Sequence, residues 1–177
     1  MTKKSFPLGK VYGLFEPGPV ILLSTAGKKR PNVMTLSWQT MLDFDPPLIG
    51  CVVGGGLSFK LLQAAKDCVL NIPTAELVGQ VVQCGNSSGV RTDKFRKFKL
   101  TAVPAEHVSA PLIGECYANV ECRVVDTGMV DAYGFFVLQA VKAWVDPQVT
   151  APKTLHHLGY GRFMIAGEII HTGSKMR

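Results

Sequence analysis

Residues 31–40 read PNVMTLSWQT. In a β-strand, successive side chains point to opposite faces. Thr35, Ser37 and Gln39 then share one face, and Met34, Leu36 and Trp38 share the other. Three neutral hydrogen-bonding groups in a row suit the wall of a binding site, and they equally suit a polar sheet edge. A second group of chemically active residues lies at 87–99. Arg91, Lys94, Arg96, Lys97 and Lys99 stand there against the single carboxylate of Asp93, directly after Ser87, Ser88 and Gly89. Hydroxyls, accessible N–H groups and cations together fit a phosphate, and a solvated basic loop has the same composition. The basic residues do not continue as a surface stripe and aromatics make up 8% of the chain, which argues against a nucleic-acid face. Gly54-Gly55-Gly56 follows a strand and precedes a helix without dinucleotide spacing, so it reads as a sharp turn beside a ligand or another backbone. No nucleophile elbow, P-loop or HExxH motif is present.

The elements that must position these residues belong to one domain. The chain has 177 residues, 47% of them hydrophobic and 18% charged, and a net charge of +6. That length supports a real core, and the charge suits phosphate-bearing partners. The N-terminus lacks the apolar core of a signal peptide, and no apolar run is long enough to span a bilayer. A cytoplasmic protein is the expectation. Five cysteines in odd number, with no CxxC spacing, read as reduced structural thiols. Zinc ligation is not expected, since His156 and His157 are adjacent and point apart.

Val20–Thr25 forms a short apolar strand, and Leu48–Val53, apolar on both faces, a central one. Ser58 is placed to cap a helix running to about Asp67, and Thr74 a second whose stripe is Leu77, Val78, Val81 and Val82. Cys116–Asp126 alternates Cys116, Ala118, Val120, Cys122 and Val124 with Tyr117, Asn119, Glu121 and Arg123, predicting a half-buried antiparallel strand. A loop containing Asp126-Thr127-Gly128 leads to a long strand over Gly134–Val145, and Phe163–Ile170 supplies one more. The fold class is mainly β with short α-helices, and seven or so strands favour a closed antiparallel barrel with helices beside it.

PNVMTLSW, PPLIGCVV after a Pro-Pro turn, CVLNIP before a helix, and a Ser-Gly…Asp-Lys-Phe loop occur in that order, and together resemble the flavin reductase-like family, most of all its flavoredoxins. The resemblance runs from about Pro17 to Gly167. It implies an FMN-binding split β-barrel, Greek-key-like, with residues 1–177 as a single flavin reductase-like domain. It implies a flavoprotein that moves electrons between a reduced donor and an acceptor, with no catalytic side chain because the flavin carries the chemistry. It assigns cofactor contacts to Asn32, Met34, Thr35, Ser37 and Trp38 on the first strand, and to the backbone of Cys51 and Val52. Ser58 would lie near the phosphate, and Ser88, Lys94 and Phe95 on a second phosphate-side loop. One terminal phosphate suits the compact basic loop, so FMN is expected ahead of FAD. A homodimer is expected, with Phe135, Phe136 and Trp144 as aromatic candidates for core or contact. Many members carry Gly-Asp-His on the later hairpin, the histidine near the nicotinamide; here the stretch is Val130-Asp131-Ala132-Tyr133-Gly134. NADH or NADPH as donor is therefore doubtful, and a redox protein is the more natural partner.

Overall fold

The computed structural model describes residues 3–11 and 18–173. The single-domain expectation over 1–177 and the start of the resemblance at Pro17 reach beyond the described residues. Seven strands form one path of antiparallel neighbours in the order β3 (Asn32–Leu36), β2 (Ile21–Thr25), β6 (Asp67–Ile72), β9 (Ala118–Asp126), β10 (Phe135–Val145), β5 (Pro47–Val52) and β4 (Gln39–Phe44). The eleven-residue β10 takes β9 along one edge. Its other edge is divided between β5, at Phe135–Gln139, and the short β1 (Lys4–Phe6), at Ala143–Val145.

The outermost strands, β3 and β4, are separated in sequence only by Ser37 and Trp38, yet they are not hydrogen-bonded neighbours. The expected closed barrel is thus a curled sheet with a seam. The strand expected through Gln39 ends at Leu36, and Trp38, expected inward beside Met34 and Leu36, is 71% exposed.

Two cores flank β2 and β3. Ile21, Leu23, Leu36, Leu70, Val120, Phe136 and Leu138 fill the concave side of the sheet. Leu22 and Val33 point the other way and pack with Leu77, Val81, Phe95 and Phe98. Strands buried on both faces read as continuous apolar runs, and β2 does. Helix α1 (Leu57–Ala65) packs Leu62 and Phe59 into the first core, and α2 (Val78–Gly85) covers the second through Val81 and Cys84. Gly56, at φ +124°, precedes α1, where Ser58 was expected to cap. Lys66 ends that helix in the left-handed region. A 3₁₀ turn at Ala75–Leu77 leads from Thr74 into α2, so of the expected stripe Leu77 and Val81 are buried while Val78 is exposed.

The polar face of β9 is not solvated as its alternation predicts. Asn119 and Glu121 are both fully buried. The segment after α3 (Lys94–Lys97), which contains β7 (Ala102–Val103) and β8 (Leu112–Ile113), lies over them. The Glu121 carboxylate accepts from the backbone N–H of Glu106 and His107 and from the indole of Trp144, at 3.1, 2.6 and 2.8 Å. Asn119 donates to Asn71 Oδ1 and to the Ile113 carbonyl, and accepts from Lys3. Buried polar groups without partners are costly, so this row is legible afterwards as the anchor of a covering loop. At the C-terminal end, β11 (Leu155–His157) and β12 (Phe163–Ile165) form a small hairpin, shorter than the strand expected to Ile170.

Candidate functional site

A cavity of about 230 Å³ opens beside β3. Asn32, Met34 and Thr35 form one wall, and Cys84, Gly85, Ser87, Ser88 and Gly89, at and beyond the end of α2, form the other. Gly54-Gly55-Gly56 and the first residues of α1, Leu57 and Ser58, form a third side. A Cβ on any of these three glycines would meet open space. Among the described residues no side chain caps the N-terminus of α1, so its first-turn N–H groups can meet an anion or water. A second cavity of about 370 Å³ adjoins at Thr35 and Gly85, and carries the same wall on to Ser37. Its far side is built by Val20, by Val81, Val82 and Asn86, and by His157, Gly161 and Phe163 of the C-terminal hairpin.

Inside the first cavity the polar groups are fixed in place. Asn32 donates to the Ser58 hydroxyl at 2.7 Å. Gly89 packs so closely against the Asn32 amide that an added Cβ would overlap it. Lys94 is 4% exposed, and its ammonium donates to the Val33 carbonyl at 2.8 Å and the Cys84 carbonyl at 2.7 Å. This ties β3 to the C-terminal end of α2, where a cation is favoured by the helix dipole. An ammonium has three donors, so one remains for a ligand. Burial lowers the Lys94 pKa from the ordinary lysine range, with Cys84 opposing. The same burial pushes the Cys84 thiol up to about 11.

Of the eleven residues expected to hold a cofactor, Asn32, Met34, Thr35, Ser37, Ser58, Ser88 and Lys94 line the two cavities. Trp38, Cys51, Val52 and Phe95 line neither. The Trp38 ring is exposed, and its carbonyl accepts from the Val52 N–H at 2.9 Å. Cys51 is buried in the concave core, with its backbone paired to Gln39 on one side and Phe136 on the other. Phe95 belongs to the core beneath α2. Cys51 and Val52 thus lie in β5, with their contact to a cofactor remaining a proposal.

The neutral polar row is likewise partly spoken for. Thr35 donates to the Val81 carbonyl at 2.6 Å and Gln39 to the Pro19 carbonyl at 2.6 Å, stitching the β3–β4 junction to its neighbours. Among the described residues, Gln39 Oε1 is buried without a partner. Sequence reasoning missed Gly85 and Asn86, although a run of small and polar residues after an amphipathic helix is a turn signal. It had no local signal for Gly161 or Phe163, whose hairpin is tied to the sheet by the Val20 N–H donating to the Leu155 carbonyl at 2.6 Å and by Leu155 packing in the second core.

An antiparallel sheet with a seam between its end strands, and a helix-walled groove along one of them, is the architecture of a split barrel. The chain belongs to the flavin reductase-like family, whose domain model matches residues 14–164. It is 39% identical over 104 residues to an uncharacterized protein of Archaeoglobus fulgidus, spanning 58% of this chain and 59% of that one. It is 27% identical over 175 residues to protein YddH of Escherichia coli, covering 90% and 93% of the two chains. Among solved structures it is similar to an FMN-binding domain of a flavin reductases-like enzyme from Shewanella baltica, with TM-score 0.91 and 24% identity over 97% of this chain and 98% of that one. It is also similar to flavoredoxin of Desulfovibrio vulgaris, with TM-score 0.81 and 22% identity over 89% and 91%. At these identities the solved structures show a shared fold.

Proposed function

We propose that the chain is a flavoprotein that holds FMN in the groove along β3 and passes electrons between a reduced donor and an acceptor. The observation that carries this reading is the order of groups along one groove in a flavin reductase-like chain. Uncapped helix N–H groups, a hydroxyl and a lysine stand at one end, and a neutral polar wall leads away from them. These groups fit the cofactor: Ser58, Ser88, Lys94 and the start of α1 would hold the phosphate, with Asn32 fixing Ser58. Met34, Thr35 and Ser37 would face the ribityl chain and the ring. When bound, the isoalloxazine supplies hydride and single-electron chemistry; this chain's own residues bind it, orient it and exclude water.

The domain is proposed to be single and to work as a cytoplasmic homodimer, a placement that five free buried thiols support. NADH, NADPH and a redox protein are the candidate donors. A second reading is a carrier with tightly held FMN and no efficient nicotinamide site, favoured by Ala132 standing where the resembling family has a histidine.

Titration of the purified protein with FMN, followed by quenching of flavin fluorescence, tests the proposal. Uptake at micromolar concentration, weakened when riboflavin replaces FMN, is the expected result. Absence of uptake would sink it.

A further inference from the structure

The second cavity, of about 370 Å³, is the end of the groove that the FMN reading gives to the isoalloxazine ring. Among the described residues, His157 is its only ionisable lining side chain, and no carboxylate lines either cavity. The imidazole is held there by the hairpin. His157 is the cross-strand partner of Phe163, and their ring centroids lie 5.2 Å apart at an interplanar angle of 45°. The chain reverses between them through Gly159, Tyr160 and Gly161, at φ +85°, +53° and +73°, and the Leu158 N–H donates to the Arg162 carbonyl at 2.9 Å. His156 faces the other way, as strand alternation requires, with its Nε2 3.1 Å from the Thr154 hydroxyl. The His157 side chain has no hydrogen bond or ion pair among the described residues, so its ring nitrogens are open to a ligand.

Other titratable and charged groups near this cavity are few. On β2, β3, α2 and the hairpin they are Cys84, His156, Tyr160 and Arg162, with Lys94 in the adjoining cavity. Cys84 faces the first cavity, Tyr160 is fully exposed at the hairpin tip, and the Arg162 guanidinium turns back to the Leu158 carbonyl at 3.5 Å. Reduction of a flavin by two electrons from the donor, with one proton from the donor or from water, leaves a net negative charge on the ring. In a groove without carboxylates, an imidazolium beside the ring favours that negative form. Histidine is the side chain that gains or loses its charge between about pH 5 and 8. We infer that His157 makes this groove a selective holder of reduced flavin, by setting a positive charge against the ring that the oxidised form does not need. The preference is fully present at low pH and fades as the pH rises and the imidazolium loses its proton. This role rests on FMN occupying the groove.

Two measurements test it: the affinity for oxidised FMN, and the midpoint potential of the bound flavin during anaerobic titration with dithionite and an indicator dye. Both are made on the wild type, His157→Gln and His157→Lys, at about pH 6 and about pH 8.5. Position 157 is exposed, so the variants are expected to fold. At the lower pH the wild type should favour reduced over oxidised FMN about tenfold more than His157→Gln does, as one charge-assisted contact implies. That ratio is roughly 30 mV for a two-electron couple. At the higher pH the gap between these two should shrink, while His157→Lys should keep the preference at both. Equal potentials for all three proteins at both pH values overturn the role of His157 and leave the flavin reading standing. Equal losses of oxidised and reduced FMN on His157→Gln also overturn it, since they confine the imidazole to packing on Phe163. Failure of the wild type to take up FMN in either state overturns the flavin reading and this role with it.

Discussion

Lys94 shows how a residue's type can be legible while its work is not. The sequence marks it as one cation of five in a basic loop, and the structure removes it from solvent to satisfy two carbonyls on different elements. Nothing in the local sequence distinguishes it from Arg96 or Lys97, which stay exposed; the distinction comes from β3 and α2 meeting around it. Lys94→Ala should therefore cost stability before it costs binding. Leaving two buried acceptors unpaired implies a loss of roughly 2–4 kcal/mol, measured by urea unfolding without ligand. A loss under about 1 kcal/mol would mean that water replaces the ammonium. If its third donor meets the phosphate, FMN should lose roughly 1.5–3 kcal/mol more affinity than riboflavin on the same substitution. Equal losses would confine Lys94 to the structural task. The cysteines were legible as buried thiols, and all five are free and buried. Burial raises the thiol pKa of Cys51, Cys84 and Cys116, and the hydrogen bond with Cys122, followed by burial, raises that of Cys68. The thiolate is the reactive form, so a thiol reagent at mildly alkaline pH should modify the native protein slowly and the unfolded protein at all five positions. Rapid modification of the native protein would contradict that burial.

At the scale of elements, strands with a strong local pattern were readable and their surroundings were not. The period of two along β9 was correct, but which of its faces meets water depends on a loop 10–15 residues upstream that folds back onto Glu121. The helix starting near Ser58 was also legible, yet Ser58 turned out to be a partner of Asn32 across 26 residues rather than a cap. The β9–β10 connection carries a functional consequence. It holds a short helix, α4 (Val130–Tyr133), ended by Gly134 at φ +65°. The Gly134 carbonyl accepts from the Val53 N–H at 2.9 Å, and a Cβ at Gly134 would press on the Val53 carbonyl at 2.7 Å. Val53 leads directly into Gly54–Gly56, so α4 is pinned next to the glycine side of the groove. Ala132 and Tyr133 are exposed there, and alanine offers neither a hydrogen bond nor a charge to a nicotinamide. Reduction of the FMN-loaded protein by NADH or NADPH is expected to be slow in stopped-flow, because hydride donors must be held within roughly 3–3.5 Å of their acceptor. Ala132→His should accelerate it if positioning is what is missing. Bleaching of the wild type at about tens per second or faster would show that the nicotinamide is already well held without that imidazole.

For the whole molecule, the mainly β class followed from the strand-rich second half, whereas the seam between β3 and β4 did not, since only two residues join those strands. Of the aromatic residues considered for core or contact, Phe136 belongs to the core, and Phe135 and Trp144 are half-buried. Phe136 is fully buried, the Phe135 ring lies over Gly50, and Trp144 is bonded to Glu121. Exposed apolar side chains include Leu158, Tyr160, Met164 and Ile165 on the C-terminal hairpin, followed by Ile169 and Ile170, with others at Trp38, Leu42 and Phe44. We propose the hairpin surface as the subunit contact; the same hairpin supplies His157, Gly161 and Phe163 to the second cavity. A second copy seated there would border the ring end of the groove, so assembly and cofactor affinity should be coupled. Light scattering of the FMN-loaded protein is expected to give twice the 19.2 kDa chain mass. Met164→Lys with Ile165→Lys, both at exposed positions, should give a monomer that binds FMN more weakly, because anything that binds only the assembled state shifts the equilibrium towards it. A wild-type monomer with FMN bound would refute the interface; a monomeric variant with unchanged FMN affinity would leave the dimer standing but separate it from the groove.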